Sequence, residues 1–308
     1  MKLGSELSGI LVVSIEQAVA APYCGLLLAD AGARVIKVER PSGDFARSYD
    51  NCANGQSVIF AWLNRGKESV SLNLKTSKDL AILRSILRQA DILISNLAPG
   101  AIERMKLTGN VLRKENSKLI TCSITGYNTS DLHKSRKAYD FLIQGETGIC
   151  SVTGTEENPS KVGISLSDLS TGLTAFSAIL RALIQRSNTD RGIDIQISMF
   201  DVMADWVNMP LLAHKYMGGA PKRTGLEHSF IAPYGAFTCG DGSQILISIQ
   251  NNHEFTSFCK YVLKQPKLSD DLRFTENPKR YRNRLQLNRI INECFSTYDI
   301  KVLTSLLD

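Results

Sequence analysis

The order of the apolar segments constrains this chain most. Short β-branched runs alternate with amphipathic stretches of helical period. "GILVVSIE" reads as a strand, "YCGLLLADAG" as a helix and "RVIKVER" as the next strand. Pro22 suits the first turn of that helix and Gly32 its end. Strand, helix and strand on short connections predict parallel pairing through a right-handed crossover. The alternation goes on with a strand at "ESVSLNL" (68–74), a helix capped by Ser77 at "SKDLAILRSILRQA" (77–90) and a strand at "DILISNL" (91–97). "GAIERMKL" opens another helix and "KLITCSITGY" (118–127) is a strand. The expected fold is α/β, a Rossmann-like open parallel sheet with helices on both faces.

From Ser170 to Gln185, residues Leu173, Phe176, Ile179, Leu180, Leu183 and Ile184 keep helical spacing. "IDIQISMFDVMADW" begins as a strand and becomes a helix. "MGGAPKRTGLEH" (217–228) is polar and Gly-rich and reads as a linker. After it, "YGAFTCGDGSQILISI" predicts a hairpin turning at Asp241-Gly242. A length of 308 residues suits two domains. These are a large Rossmann-like domain over 1–216 and a smaller α+β domain over 229–308, joined by 217–228.

The net charge of +6 is spread along the chain. It fits a phosphate-bearing small ligand, and no aromatic-and-basic ladder or zinc-finger spacing points to nucleic acid. Seven cysteines with no C-x-x-C argue for reduced thiols. The first residues lack a signal-peptide pattern, and no apolar run approaches the roughly 20 residues that span a bilayer. The expectation is a soluble, cytoplasmic protein without membrane or nucleic-acid partners.

A strand-loop-helix-strand opening with Glu39 closing the second strand suggests dinucleotide binding. That motif needs glycines in its first loop, and Gln17-Ala18-Val19-Ala20-Ala21-Pro22 has none. Phosphate must then meet side chains. The candidates at strand ends are Arg40, Arg47, Lys67, Lys75 and Arg104. In "ISLSDLSTG", Asp168 stands at the doorway of a helix, either as its cap or as a reactive carboxylate.

Five blocks together resemble the class III CoA-transferases of the formyl-CoA and carnitine CoA-transferase type. They are "LADAGARVIKVERPSGD" (28–44), "LNRGKESVSLNLK" (63–75), "ISNLAPGAIERM" (94–105), "KAYDFLIQGETG" (137–148) and "SDLSTGLTAFSAILRAL" (167–183). "IAPYGAF" (231–237) and "ISIQNNHEF" (247–255) resemble that family's smaller domain. The resemblance implies an acyl-CoA substrate, a carboxylic acid acceptor, no permanently bound cofactor and no metal. It places the nucleophile at Asp168. It places coenzyme A on Val19, Ala20, Arg40, Leu72, Lys75, Asn96, Leu97, Ala98, Arg104, Lys137 and Tyr139. Aspartate would attack the thioester carbonyl, giving a mixed anhydride and CoA thiolate. Ser167, Ser170 and Thr171 are small enough to leave room for a pantetheine arm.

The same family fold serves alpha-methylacyl-CoA racemases, which the resemblance says carry a histidine where this chain has Tyr139, before Asp140. Tyrosine is a poor proton acceptor near neutrality, so transfer is favoured over racemisation. His228, before "SFIAPYG", could approach the site, but a structural or surface role is the favoured reading. "EQAVAAP" and "EHSFIAPYG" resemble members handling small dicarboxylic acyl groups such as mesaconyl-CoA, and Arg47 is the candidate for a distal carboxylate. Family members form interlocked homodimers through a crossover beyond "VLTSLLD". Its expected absence here leaves a catalytically weak CoA-binding protein as the alternative.

Overall fold

The structure, a computed structural model, describes residues 4–128, 132–133 and 136–307. Six strands form a parallel sheet: β1 (Leu11–Ile15), β2 (Arg34–Glu39), β3 (Glu68–Ser71), β4 (Ile92–Ser95), β5 (Ile120–Thr125) and β6 (Asp194–Ser198). Their order is β3-β2-β1-β4-β5-β6, which is the doubly wound order of a Rossmann fold. Registers such as Val13 with Ile36 and Val13 with Leu93 put β1 at the centre.

Helices α1 (Ala20–Asp30), α2 (Val58–Asn64), α3 (Ser77–Leu87), α4 (Ala101–Arg104), α5 (Gly109–Leu112), α6 (Asp140–Glu146), α7 (Ile149–Val152), α8 (Leu166–Thr189) and α9 (Met199–Trp206) follow the strands or join them. Alternate strand residues divide between two cores. Val12, Ile92, Ile94 and Ile120 pack with Cys24 and Leu28 of α1 and Ala175 and Ile179 of α8. Val13, Ile15, Val38 and Leu93 pack with Leu83 and Leu87 of α3. A strand buried on both faces must be apolar on both, which is why these strands read as continuous runs. One expected detail differs: Thr76, not Ser77, caps α3, its hydroxyl accepting the Asp79 N–H at 3.2 Å.

The chain divides into two compact units, 1–150 with 161–212 and 151–160 with 213–308. The segment 151–160, which the sequence reading gave to the larger domain, therefore belongs with the second unit. Arg223 ties it there, donating to the carbonyls of Ser151, Thr155 and Glu156. The chain continues through α10 (Asn208–Tyr216). The second unit holds an antiparallel hairpin, β7 (Tyr234–Thr238) and β8 (Gln244–Ser248), with Gly242 in its turn at φ +80°. Helices α11 (Asn252–Ser257), α12 (Asn277–Arg282), α13 (Arg284–Phe295) and α14 (Ile300–Leu307) complete it. Its core gathers Phe237, Ile247, Phe255, Phe258, Ile291, Phe295 and Leu303. Among the described residues no helix is long and apolar enough to cross a membrane.

Candidate active site

In a doubly wound sheet, ligands bind beyond the carboxyl ends of the strands, where the strand order reverses. Here that point lies between β1 and β4. Asn96, just after β4, clamps the second residue beyond β1 from both sides: its Oδ1 accepts the Gln17 N–H at 2.9 Å and its Nδ2 donates to the Gln17 carbonyl at 2.8 Å. The next residue, Ala18, takes the left-handed conformation, φ +62°. Helix α1 then starts at Ala20.

Two cavities open at this crevice and share Gln17 and Leu97. One, of about 560 Å³, is lined by Arg40, Leu72, Lys75, Leu97 and Arg104. Arg104 lies over Gly100, whose φ of +77° and lack of a side chain leave the guanidinium its place, since a Cβ there would stand 2.7 Å from Nη1. The other cavity, of about 510 Å³, is lined by Val19, Ala20, Asn96, Leu97, Ala98, Lys137, Tyr139 and Asp168. Each of the twelve residues singled out in the sequence thus lines one cavity or the other.

Asp168 is the third residue of α8, so it does not cap that helix, and Ser165 at the cap position makes no side-chain bond either. The carboxylate at the helix start is Asp140, the first residue of α6: its Oδ1 accepts the Ser167 N–H at 2.8 Å. Gln144, one turn along α6, donates to Asp140 Oδ2 at 2.8 Å and accepts the Val162 N–H at 2.9 Å. Asp140 thereby takes the role proposed for Asp168 and leaves Asp168 facing the cavity. The N–H of Ala20 lies within electrostatic reach of the Asp168 carboxyl and favours its ionised form. That N–H is the first of α1, among the groups a helix cannot satisfy internally. Gly172, one turn beyond Asp168, brings the helices together, since a Cβ there would lie 2.5 Å from the Ala20 carbonyl oxygen. The spacing of "DLSTG" is the spacing of that contact.

Burial pushes the Asp168 pKa up to about 7; the Asp140 charge adds to the rise and the Ala20 N–H draws it back. An ordinary aspartate is fully ionised at neutral pH; here a pKa of about 7 leaves a substantial protonated fraction. Ser167, Ser170 and Thr171 do not open a channel either. They are buried, and their hydroxyls return to backbone carbonyls of Asp140, Leu166 and Ser167.

Two basic candidates are tied to acids within the fold. Arg47 pairs with Glu39 through two bonds of 2.7 and 2.8 Å and stacks on Phe60; its side chain stays 44% exposed but lines neither cavity. Glu39 is also taken up by Ser69 and the Asp44 N–H, which leaves no acceptor for a ribose. Lys67 is buried against Glu16 at 2.5 Å. His228 belongs to the second unit, where its Nδ1 accepts the Phe230 N–H at 3.0 Å. The sequence reading missed Asp140 and Gln144, and also the apolar wall of Phe45, Tyr49, Ile59 and Phe141 around Asp168. The aromatic residues of "DFARSYD" were the available signal for that wall.

The pattern of CoA-transferase family III matches residues 7–308. An acetyl-CoA:oxalate CoA-transferase of Acetobacter aceti is 36% identical over 94% of this chain and 74% of its own length. A succinyl-CoA:glutarate CoA-transferase of Mus musculus is 33% identical over 94% of this chain and 67% of its own. Among solved structures, a CAIB/BAIF family protein from Brucella suis aligns with a TM-score of 0.83 at 32% identity, covering 99% of this chain and 82% of that one.

Proposed function

The chain belongs to CoA-transferase family III, and from that premise we propose that it moves coenzyme A from an acyl-CoA thioester to a small carboxylic acid. One observation carries this reading. A carboxylate with a pKa near 7 and a cluster of three cations line adjoining cavities that share Gln17 and Leu97. Coenzyme A has that layout, with phosphates at one end and a thioester at the other. Arg40, Lys75 and Arg104 meet the phosphates, Arg by paired hydrogen bonds and Lys as a point charge. Leu72, Leu97, Val19 and Ala98 line the path of the pantetheine arm.

The ionised Asp168 attacks the thioester carbonyl. An Asp–O bond to the acyl carbon forms, the C–S bond breaks and the electron pair leaves on sulfur as CoA thiolate. The thiolate attacks the Asp168 carbonyl of the anhydride, releasing the first acid and leaving a CoA thioester on the enzyme. The incoming carboxylate then attacks that thioester, and the thiolate released takes its acyl group, restoring Asp168. One thioester is made for each one consumed, so no external energy is required. A carboxylate of raised pKa is a stronger nucleophile than a free one once ionised, which fits burial of Asp168 in an apolar wall. The acceptor class we favour is a small dicarboxylic acid. Both relatives named above carry such an acid in their names, and Lys137 and Lys161 line the Asp168 cavity.

Mixing the protein with succinyl-CoA or acetyl-CoA and a free dicarboxylic acid should yield a second thioester. Asp168→Asn should lower the rate by about a thousandfold or more. Undiminished turnover of that variant defeats the reading. Exchange of the α-hydrogen with deuterated water and no new thioester indicates racemisation instead.

A further inference from the structure

Beneath the first loop lies a group of four buried charges, two of each sign. Glu16 accepts from Lys67 at 2.5 Å and from Lys37 at 3.4 Å, and Lys37 donates to Asp44 at 2.9 Å. Their side chains have essentially no solvent exposure. Gly25 of α1 makes room, since a Cβ there would stand 2.8 Å from Glu16 Oε2. Buried ion pairs contribute little net stability, so the arrangement calls for another account. The free end of the group supplies one. Asp44 Oδ1 accepts the N–H of Ala18 at 3.2 Å and that of Ala46 at 3.0 Å.

Ala18 holds a backbone conformation, φ +62°, that alanine rarely adopts. Such strain persists only where the surroundings fix it, and it gathers at functional sites. Two residues on, Ala20 opens α1 against α8 and lines the cavity that holds Asp168, its N–H within electrostatic reach of that carboxyl. We propose that Asp44, held by Lys37, is a positioning residue: its carboxylate fixes the left-handed turn at Ala18 and so aims the Ala20 N–H at Asp168. The inference builds on the transferase reading but concerns the geometry of the free protein.

The test reads the titration of the Asp168 carboxyl by carbon NMR in the unliganded protein, with Asp168→Asn identifying the signal. The charged and titratable groups facing Asp168 from other segments are Asp140, Tyr139, Tyr49, Arg136, Lys137 and Lys161. Those around Asp44 are Lys37, Glu16, Glu39 and Arg47, with Tyr49 within electrostatic reach. Replacing Asp44 by Asn removes a negative charge, and charge alone would lower the Asp168 midpoint. The amide Oδ1 still accepts the Ala18 N–H, so Asp44→Asn serves as the charge control and should lower the midpoint, whereas loss of the Ala20 N–H raises it. Asp44→Glu keeps a counter-charge for Lys37 and displaces the acceptor from Ala18, so it should raise the midpoint by about one pH unit. Ala18→Val approaches the same turn from its other end at a half-buried position, where a β-branched residue resists positive φ, and should do likewise. An unchanged or lowered midpoint in Asp44→Glu and Ala18→Val overturns the proposal, whatever the transferase assay shows. Failure of the transfer reading is separate and appears as full activity in Asp168→Asn.

Discussion

Asp168 is a carboxylate held at the edge of ionisation, and that has two consequences of opposite sign. A free aspartate titrates near pH 3.9, whereas the folded protein holds this proton to about pH 7. Between those values the folded state binds a proton that the unfolded chain has released. Stability therefore falls as pH rises through that window, and the loss is complete above about pH 7. Asp168→Asn cannot ionise, so it should match the native protein at pH 4.5 and exceed it at pH 8. Allowing for the solvent that reaches the cavity, the gain is about 2 kcal/mol by urea denaturation. Activity runs the other way: kcat/KM should rise with a midpoint near pH 7 and level off above it. Asp140→Ala removes one cause of the raised pKa and also the acceptor for the Ser167 N–H. Its pH–rate midpoint should shift down while its stability drops by about 1 kcal/mol.

The proposed nucleophile depends on where two helices meet. Helix α8 carries the carboxylate, α1 supplies the N–H, and Gly172 lets them touch. Gly172→Ala drives a methyl group into the Ala20 carbonyl, so the helices must separate. We expect a stability loss of about 2 kcal/mol and a fall in transfer rate of more than tenfold, measured at pH 8 where Asp168 is ionised throughout. A full-rate variant would show that the Ala20 contact is dispensable. The elements themselves were legible, because hydrophobic period records burial directly: the runs at 68–74, 91–97 and 118–127 each contain a strand of the sheet. So were Arg40, Lys75 and Arg104, whose places follow from strand ends. Pairing across the fold was not legible. Arg47 and Lys67 carry the same local signature as Arg104, yet each meets an acid distant in sequence, Glu39 and Glu16. Asp140 caps a helix 27 residues away, a link that no local spacing encodes. Lys37 in mid-strand, within "RVIKVE", was a visible anomaly that only its buried partners explain.

In the larger unit, the sheet order brings well-separated segments of the chain to one crevice. Under the proposed function the two cavities divide the labour, Arg40, Lys75 and Arg104 in one meeting the phosphates and Asp168 in the other meeting the thioester. This division predicts how substrate fragments behave. An acyl-pantetheine reaches Asp168 but leaves Arg40, Lys75 and Arg104 without phosphates to hold. Binding energy from such remote groups is spent on orienting the thioester as well as on affinity. The fragment should thus lose kcat as well as affinity, with kcat/KM down by about a hundredfold or more. Arg104→Met should weaken acyl-CoA turnover by about tenfold, and added salt should do the same to a smaller extent. Neither change should affect acyl-pantetheine, because it carries no nucleotide phosphates for that guanidinium to hold. If Arg104→Met slowed both substrates equally, the guanidinium would be supporting the fold around Gly100 rather than the nucleotide, and the assignment of phosphates to the 560 Å³ cavity would fail.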